Sequence, residues 1–230
     1  MPTSPSVERG VILLINPNTN TATTEMMTDR ARQYLRGTGY ELRGHTVSTG
    51  PAMIVEPDAL EASATYVVNC VHEAADDSIV GVIVGAIGDP GVAALRAELA
   101  IPVIGIGEAA VRAAAVGGRR FGMATSTDEL ADSLRELVAA HSAAEQFTGL
   151  RLTVSGPTVL AADAERQFRE LRSAVQQCSA LDGAEAVIIG GGPLSDSARE
   201  LAGALAIAIV EPIPSAVAAM VAMLPDRIRV

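Results

Sequence analysis

The sequence predicts an α/β fold of two pseudo-symmetric lobes, each a mainly parallel sheet flanked by helices, with a ligand cleft between the lobes. Three observations lead to this prediction. Short apolar runs alternate with helical patterns along the whole chain, which is typical of parallel sheets. The second half of the chain repeats motifs of the first half. Hydrophobic residues make up 49% of the chain and aromatic residues only 3%, which suits aliphatic strands buried beneath helices.

Strands and helices can be placed in order from this alternation. The strand candidates are short aliphatic runs bounded by turn residues. They lie at residues 11–15, 40–47, 81–85, 102–106, 120–125, 150–154, 186–190 and 207–210. The helix candidates between them lie near residues 20–36, 57–77, 91–99, 107–116, 128–145, 161–180, 195–205 and 214–223.

An internal repeat relates the two halves of the chain. The motif 83-IVGA-86 lines up with 188-IIGG-191, and 99-LAIPVIGIGEAAV-111 lines up with 205-LAIAIVEPIPSAV-217. Each half therefore shows the same series of strands, turns and helices. A repeat of about 100 residues is long enough to form a domain.

The repeat divides the chain into two lobes without a linker between them. We predict that residues 1–106 and 212–230 form the first lobe and that residues 107–211 form the second. Ligands of open α/β sheets bind beyond the carboxyl ends of the strands. A pseudo-twofold axis between the lobes would bring the turns at these strand ends to one cleft. The turns are 16–20, 85–89, 125–128 and 190–195.

The turns 15-INPNTNT-21 and 122-GMATSTDEL-130 carry amide and hydroxyl side chains. Such groups, together with backbone N–H groups at a helix N-terminus, can bind an anion or a carboxylate. The alternative is a capped turn without a ligand, with Ser126 or Thr127 as the cap of the helix in the second case. The candidate ligand contacts are Asn16, Asn18 and Thr19 in the first turn and Thr125 and Ser126 in the second.

The turns 85-GAIGDPG-91 and 190-GGGPLSDS-197 carry glycine where reactive side chains often stand. We expect Asp89 to cap the helix after the first of these turns, with Pro90 at the first helical position. In the other turn, Ser195 or Asp196 is the expected cap, and the backbone offers a nest of N–H groups. The glycine spacing does not match a dinucleotide fingerprint or a P-loop. The candidate ligand contacts are Gly85, Ala86, Ile87, Gly191, Gly192 and Pro193.

The other potentially reactive side chains more often have structural roles. Cys70 and Cys178 lie in helical patterns and are expected to be small buried hydrophobes. Glu108 and Glu211 follow strand ends, where they are expected to cap helices or face solvent, with a catalytic role as the alternative. The histidines lack the spacing of metal ligands, so no metal is expected. They are His45, His72 and His141.

The charge and the length of the apolar runs narrow the classes of partner. A formal net charge of −10 argues against nucleic acid and against an anionic membrane surface. No apolar run is long enough for a transmembrane helix, and the polar N-terminus does not resemble a secretory signal. Two cysteines do not make a disulfide framework. We therefore expect a cytoplasmic protein whose partner is a small molecule.

Several separated motifs, in the right order, resemble one family. They are INPNT after the first strand, TGPAMIVEP near residue 50, IGDPGVAALRAE, PVIGIGEAAV, RRFGMAT and the late VIIGG turn. The chain thus resembles the hydantoin and allantoin racemases of the aspartate/glutamate racemase superfamily, from about Val11 to Met220. The resemblance implies the two-lobed fold, a site between the lobes, no cofactor and a homo-oligomer.

The resemblance also implies a reaction for which this chain lacks the residues. In the family, one cysteine from each lobe flanks the substrate, so that one thiolate removes the α-proton and the opposite thiol returns one. The first family cysteine falls on Ala86 and the second on Gly191. Neither side chain can transfer a proton, and Cys70 and Cys178 do not match the motif.

Two functions stay open on the sequence alone. The first is an enzyme that acts on a small carboxylate, imide or cyclic ureide, such as a hydantoin, through altered chemistry without cysteine. The alternative is a non-catalytic small-molecule-binding relative that has lost racemase activity. A separate explanation, that Ala86 replaces a cysteine by design, would leave Gly191 unexplained.

Overall fold

The computed structural model describes residues 10–141 and 143–225. Two sequence predictions concern residues outside these ranges: the absence of a secretory signal at residues 1–9, and the two ends of the first lobe at residues 1–9 and 226–230. Within the described ranges, no helix is both long and apolar enough to cross a bilayer.

Two parallel sheets confirm the predicted α/β class. In the described part of the chain, each sheet has four strands, in the orders β2-β1-β3-β4 and β6-β5-β7-β8. The strand order therefore repeats as the sequence motifs do. The strands are β1 (Val11–Asn16), β2 (Glu41–Thr46), β3 (Ile79–Val84), β4 (Val103–Gly105), β5 (Phe121–Thr125), β6 (Phe147–Leu152), β7 (Ala186–Ile189) and β8 (Ala208–Val210).

Helices cover both faces of the sheets. They are α1 (Thr21–Leu35), α2 (Pro57–Ala74), α3 (Val92–Glu98), α4 (Ile106–Ala114), α5 (Ala131–Ala140), α6 (Pro157–Ala161), α7 (Ala164–Ala180), α8 (Ser195–Ala204) and α9 (Pro212–Met223), with short 3-10 turns at Val116–Gly118 and Gly192–Leu194.

Strand β1 shows why the central strands appear in the sequence as uninterrupted apolar runs. Every residue of the strand is buried. Ile12 packs with Met27 of α1 and Met220 of α9 in one core cluster. Leu13, on the opposite face, belongs with Val67 of α2 to another cluster. A parallel strand covered on both faces needs apolar side chains at successive positions, so its sequence does not alternate.

Several element boundaries differ from the prediction, and two of the differences have clear local reasons. Strand β6 lies at the sheet edge and begins before the predicted range 150–154. Its side chains are only partly buried, and the φ of 127° at Gly149 accompanies a register shift against β5, so a continuous apolar run is missing. The predicted helix 161–180 is divided, because the Asp163 side chain accepts a hydrogen bond from the Arg166 N–H and starts α7.

The C-terminal helix α9 returns to the first sheet. It packs on α1, α4, β3 and β4. Glu211 holds the N-cap position of α9, as expected, but its side chain caps no N–H group and pairs with the buried Arg30 of α1. Its side chain is only 14% exposed, so the alternative that it faces solvent is wrong. The lobe boundaries themselves stay a prediction.

Candidate functional site

The turns after β1, β3, β5 and β7 converge on a cavity of about 70 Å³. This volume is several times what one water molecule requires, so the cavity suits a compact small molecule. Most of the predicted contacts line it, namely Asn18, Gly85, Ala86, Ile87, Ser126, Gly191, Gly192 and Pro193. The remaining predicted contacts, Asn16, Thr19 and Thr125, lie outside the lining.

In the first turn, Asn16 holds the backbone and Asn18 offers a donor to the cavity. Asn16 is fully buried; its Nδ2 donates to Asn18 Oδ1 and to Thr24 Oγ1, both at 3.0 Å. Asn18 Oδ1 also accepts from the Asn20 N–H at 2.9 Å, whereas Asn18 Nδ2 has no acceptor within the described chain. The Asn20 side chain caps α1, so the expected capping by an asparagine of this turn is confirmed.

In the turn after β5, Thr125 joins two turns and Ser126 faces the cavity. Thr125 is fully buried and its Oγ1 donates to Gly190 O at 2.7 Å. Ser126 lines the cavity, and its hydroxyl has no hydrogen-bond partner among the described residues. The expectation that Ser126 or Thr127 caps the next helix is wrong, because a turn closed by the Ala131 N–H to Asp128 O bond precedes α5.

In the turn after β3, Asp89 does not cap the helix that follows it. Helix α3 begins at Val92, with Gly91 at the N-cap position in the left-handed conformation, φ 79°. Pro90 therefore precedes the helix and does not open it, so both expectations for this turn are wrong. Asp89 itself has a φ of 52°, and its side chain is used elsewhere.

The Asp89 carboxylate caps α4 and holds the cavity turn against it. It accepts hydrogen bonds from the Gly107 N–H at 2.7 Å and from the Glu108 N–H at 2.6 Å. Burial raises the pKa of Asp89 to about 7, although the two N–H donors lower it.

The backbone N–H groups of residues 86–88, which line the cavity, have no acceptor among the described residues. They are therefore available to a ligand.

Replacing Gly107 by alanine should destabilise the fold, because α4 approaches the cavity turn too closely for a side chain. A Cβ at Gly107 would lie 2.1 Å from Ile87 O and 2.7 Å from Leu137. We expect Gly107→Ala to lower the free energy of unfolding by about 3 kcal/mol, measured by urea denaturation. Gly203→Ala is the matched control, since it is also helical, has no neighbour in reach and should be neutral or stabilising. Equal midpoints for the two variants would contradict this packing.

The turn after β7 brings Gly191 to the cavity. The N–H of Gly190 donates to Ala124 O and that of Gly191 to Ile189 O, so the expected nest lacks these two donors. The expected cap by Ser195 or Asp196 is also wrong, because α8 has Leu194 at its N-cap without a side-chain cap. Ser195 Oγ instead donates to Gly192 O at 2.7 Å.

The other potentially reactive side chains lie away from the cavity lining. Cys70 and Cys178 are buried, as predicted, and burial raises the pKa of Cys178 to about 11, so its thiol is protonated at neutral pH. Glu108 accepts a hydrogen bond from the Gly105 N–H, so its expected capping role is confirmed. It is buried and pairs with Arg96, so the alternative that it faces solvent is wrong. Among the described residues, no cluster of three or more His, Cys, Asp or Glu side chains could hold a metal ion.

Sequence reasoning missed the cavity residues that come from outside the turns at the strand ends. Gln167 of α7 is 92% buried, and its Oε1 accepts from Ser197 Oγ at 2.8 Å. Met53 and Ile54 belong to a segment tied to the first turn by the Thr19 N–H to Pro51 O bond. The missed lining residues outside the predicted turns are Met53, Ile54, Leu60, Leu130, Pro157, Ala161 and Gln167. Four more lining residues lie within the predicted turns but were not named as contacts: Gly88, Thr127, Gly190 and Leu194.

The lining is neutral: among its described residues, no side chain is ionisable at ordinary pH. A fold of paired parallel sheets with such a site can be compared with known families. The sequence matches the family described as Asp/Glu/hydantoin racemase over residues 12–220, almost the whole chain. The chain belongs to the Asp/Glu/hydantoin racemase family.

Individual members of the racemase family agree with this assignment. The hydantoin racemase of Paenarthrobacter aurescens is 29% identical over 210 residues, which cover 89% of this chain and 87% of that protein. The hydantoin racemase of Pseudomonas sp. (strain NS671) is 25% identical over 200 residues, or 87% of this chain and 80% of the relative. The structure of an allantoin racemase from Klebsiella pneumoniae superposes with a TM-score of 0.84 at 26% identity, covering 92% of this chain and 86% of that one.

Within this racemase fold, Ala86 and Gly191 line the cavity from different sheets, after β3 and β7. The family resemblance predicts reactive cysteines at these two positions, and this assignment stays a prediction. The cavity at these positions therefore presents a methyl group and a bare backbone to a ligand.

Proposed function

We propose that the cavity binds a compact, neutral cyclic ureide or imide, of which hydantoin is the simplest example, without proton exchange by cysteine. The observation that carries this proposal is the lining, whose residues bring amide, hydroxyl and unpaired backbone donors and, among those described, no ionisable side chain. Such a site recognises hydrogen-bond acceptors and has no group suited to acid–base catalysis near neutral pH.

The free donors in the lining favour a ligand with more than one carbonyl group. The amide oxygens of Asn18 and Gln167 are already engaged within the protein, so their nitrogen atoms are the groups left for a ligand. Asn18 belongs to the first-sheet side of the cavity and Gln167 to helix α7 on the other side. A donor that stays unpaired when a ligand covers it weakens the binding of that ligand. A ring with two carbonyl oxygens can accept a hydrogen bond from the Asn18 nitrogen and another from the Gln167 nitrogen.

The neutrality of the lining favours an uncharged ring over a carboxylate. A carboxylate loses more hydration than a neutral carbonyl on burial and is held most strongly where a cation accompanies the hydrogen-bond donors. Among the described lining residues, none is Arg, Lys or His. Small carboxylates, which the sequence also suggests, therefore take second place. The relatives named hydantoin racemase and allantoin racemase support the same choice, because both named compounds contain a cyclic ureide.

A second candidate is an enzyme with altered chemistry. The N–H groups of residues 86–88 point to this function, because they lack an acceptor among the described residues and line the cavity. Preorganised N–H donors of this kind stabilise an oxyanion or enolate as it forms. Product analysis by polarimetry and chromatography after incubation with hydantoins, allantoin and substituted malonates separates this candidate from a binding protein.

Replacing Asn18 by aspartate should weaken ligand binding while the shape of the site is retained. The change removes the free Nδ2 donor and introduces a negative charge opposite the ligand carbonyl, so we expect hydantoin affinity to fall at least about tenfold. Isothermal titration and the ligand-induced rise in melting temperature measure the effect.

Asn69→Asp is the matched control, because Asn69 is exposed on α2 and the change adds the same charge. Succinate and malonate serve as charged competitors and succinimide as a neutral one. Tighter binding of the dicarboxylates than of hydantoin and succinimide, or equal affinity of Asn18→Asp and the parent, would refute the proposed recognition.

Two further expectations stay predictions, the first from the composition of the chain and the second from the family resemblance. These are a cytoplasmic location and a homo-oligomeric state. Light scattering coupled to size-exclusion chromatography tests the homo-oligomeric state. A measured mass near 23.6 kDa, that of one chain, would contradict it.

A further inference from the structure

An open groove of about 580 Å³ adjoins the cavity. The two share Met53, Ala161, Gln167 and Pro193 in their linings, so the groove lies directly beside the cavity. The groove lies between the start of α1 and helices α6, α7 and α8. It is therefore placed to hold a substituent of a ligand whose ring occupies the cavity.

Gln167 stands at the junction of the cavity and the groove with an unused hydrogen-bonding group. The residue is only 8% exposed, yet it contributes to both linings. Ser197 Oγ holds its Oε1 at 2.8 Å, and its Nε2 has no acceptor within the described residues. This nitrogen is not among the fully buried atoms without a partner in the described chain, so it reaches the open space at the junction, where a ligand acceptor can replace solvent.

The groove has an apolar floor and an acidic rim. Leu160 is buried, and Met26, Met53 and Phe168 are partly buried along it. The rim carries carboxylates and, among the described lining residues, no Arg, Lys or His. Glu165 is paired with Arg169, whereas Asp196 and Glu200, one turn apart on α8, have no ion-pair partner among the described residues.

We propose that the groove is a subsite for a ligand substituent with an apolar stem and a cationic end, such as an ammonium or guanidinium group. The ligand is then a cyclic ureide that carries a basic side arm on its ring. The stem covers the apolar floor, and the cation lies near Asp196 and Glu200. This inference rests on the proposed function, since it places the ring in the cavity, and it narrows the class of ligand.

The test compares three arms on the same ring: 5-(4-aminobutyl)hydantoin, 5-butylhydantoin and 5-(2-carboxyethyl)hydantoin, with unsubstituted hydantoin as the reference. Isothermal titration at low salt measures the affinities, because screening weakens exposed charge interactions. We expect the cationic arm to bind about three- to tenfold more tightly than the butyl arm, and the anionic arm to bind more weakly than the butyl arm.

The double variant Asp196→Asn/Glu200→Gln should abolish the preference for the cationic arm and leave the affinity for the butyl arm unchanged. The matched control is Asp132→Asn/Glu136→Gln, because this acidic pair has the same spacing on α5 and lies outside the groove. The preference should survive in the control.

The outcomes separate this inference from the function on which it rests. Equal binding of the three arms, or a preference that persists after the α8 carboxylates are removed, overturns the groove subsite while hydantoin binding keeps the proposed function. Failure of unsubstituted hydantoin and of every arm to bind overturns both.

Discussion

The Ala86→Cys/Gly191→Cys double variant is expected to racemise 5-substituted hydantoins at least about 100-fold faster than the parent chain. Both positions line the cavity, after β3 of one sheet and β7 of the other. Proton exchange without a cofactor needs a base on one face of the carbon and an acid on the other, and thiols with a pKa near 8.5 can take both roles. The decay of optical rotation of an enantiopure hydantoin measures the rate.

Each single cysteine variant should exchange the α-proton with solvent without inverting the carbon, because one thiol serves one face only. Deuterium incorporation in D₂O, followed by NMR at about pH 8.5, detects this partial reaction, since an ordinary thiol is then about half ionised. The Ala86→Ser/Gly191→Ser pair is the control, because it adds polar atoms of similar size without an ionisable thiol. A double cysteine variant that binds hydantoin yet exchanges no faster than the serine pair would show that the two positions do not flank the reacting carbon.

Backbone conformation makes the two substitutions unequal. Gly191 has a φ of 150°, which side-chain-bearing residues rarely adopt, although the closest neighbour of an added Cβ is Leu194 at 3.5 Å. We expect Gly191→Cys to lose about 1–3 kcal/mol of stability through backbone strain without a steric clash. Ala86 has no positive φ and already carries a Cβ, so Ala86→Cys alone should retain its melting temperature and test the exchange step independently.

The central strands could be predicted because burial on both faces imposes a direct sequence signal, whereas the order of the strands within a sheet was not predicted. Strands β1, β3, β5 and β7 are apolar runs, and the internal repeat indicates that the second sheet copies the first. The edge strand β6 was placed less well, since a partly buried strand with a shifted register has no such run. A strand is therefore easier to recognise from the sequence when both of its faces are buried.

The candidate site was predicted where it follows strand ends and missed where tertiary packing supplies it. Ala86 and Gly191 stand in repeated motifs, so the sequence places both at the cleft. Gln167 sits in a helix whose pattern gives no sign of the cavity, and only its approach to Ser197 brings it there. Asp89 has the right chemistry for a cap but serves α4, because a positive φ directs its carboxylate across the chain. Such long-range partners leave no local pattern.

Replacing Asp89 by alanine is expected to lower the free energy of unfolding by about 2–4 kcal/mol in mildly acidic solution. The change leaves the buried N–H groups of Gly107 and Glu108 without their acceptor and removes the cap of α4. Urea denaturation followed by circular dichroism measures the effect. Asp77→Ala is the control, because Asp77 is exposed two positions before β3 and should change stability little.

The destabilisation by Asp89→Ala should shrink as pH rises. Burial raises the pKa of Asp89 from 3.8 in the unfolded reference to about 7 in the folded protein. Between these values the folded protein binds more protons than the unfolded chain, so the Asp89 contribution is fully present below the unfolded pKa and is lost as pH rises through the folded pKa. From about pH 4 to about pH 8 this amounts to at most about 4 kcal/mol. The parent should therefore lose stability across this window more steeply than Asp89→Ala does. A parallel pH dependence of the two proteins would show that Asp89 keeps its charge when the chain folds, stabilised by the N–H groups of α4 against the effect of burial.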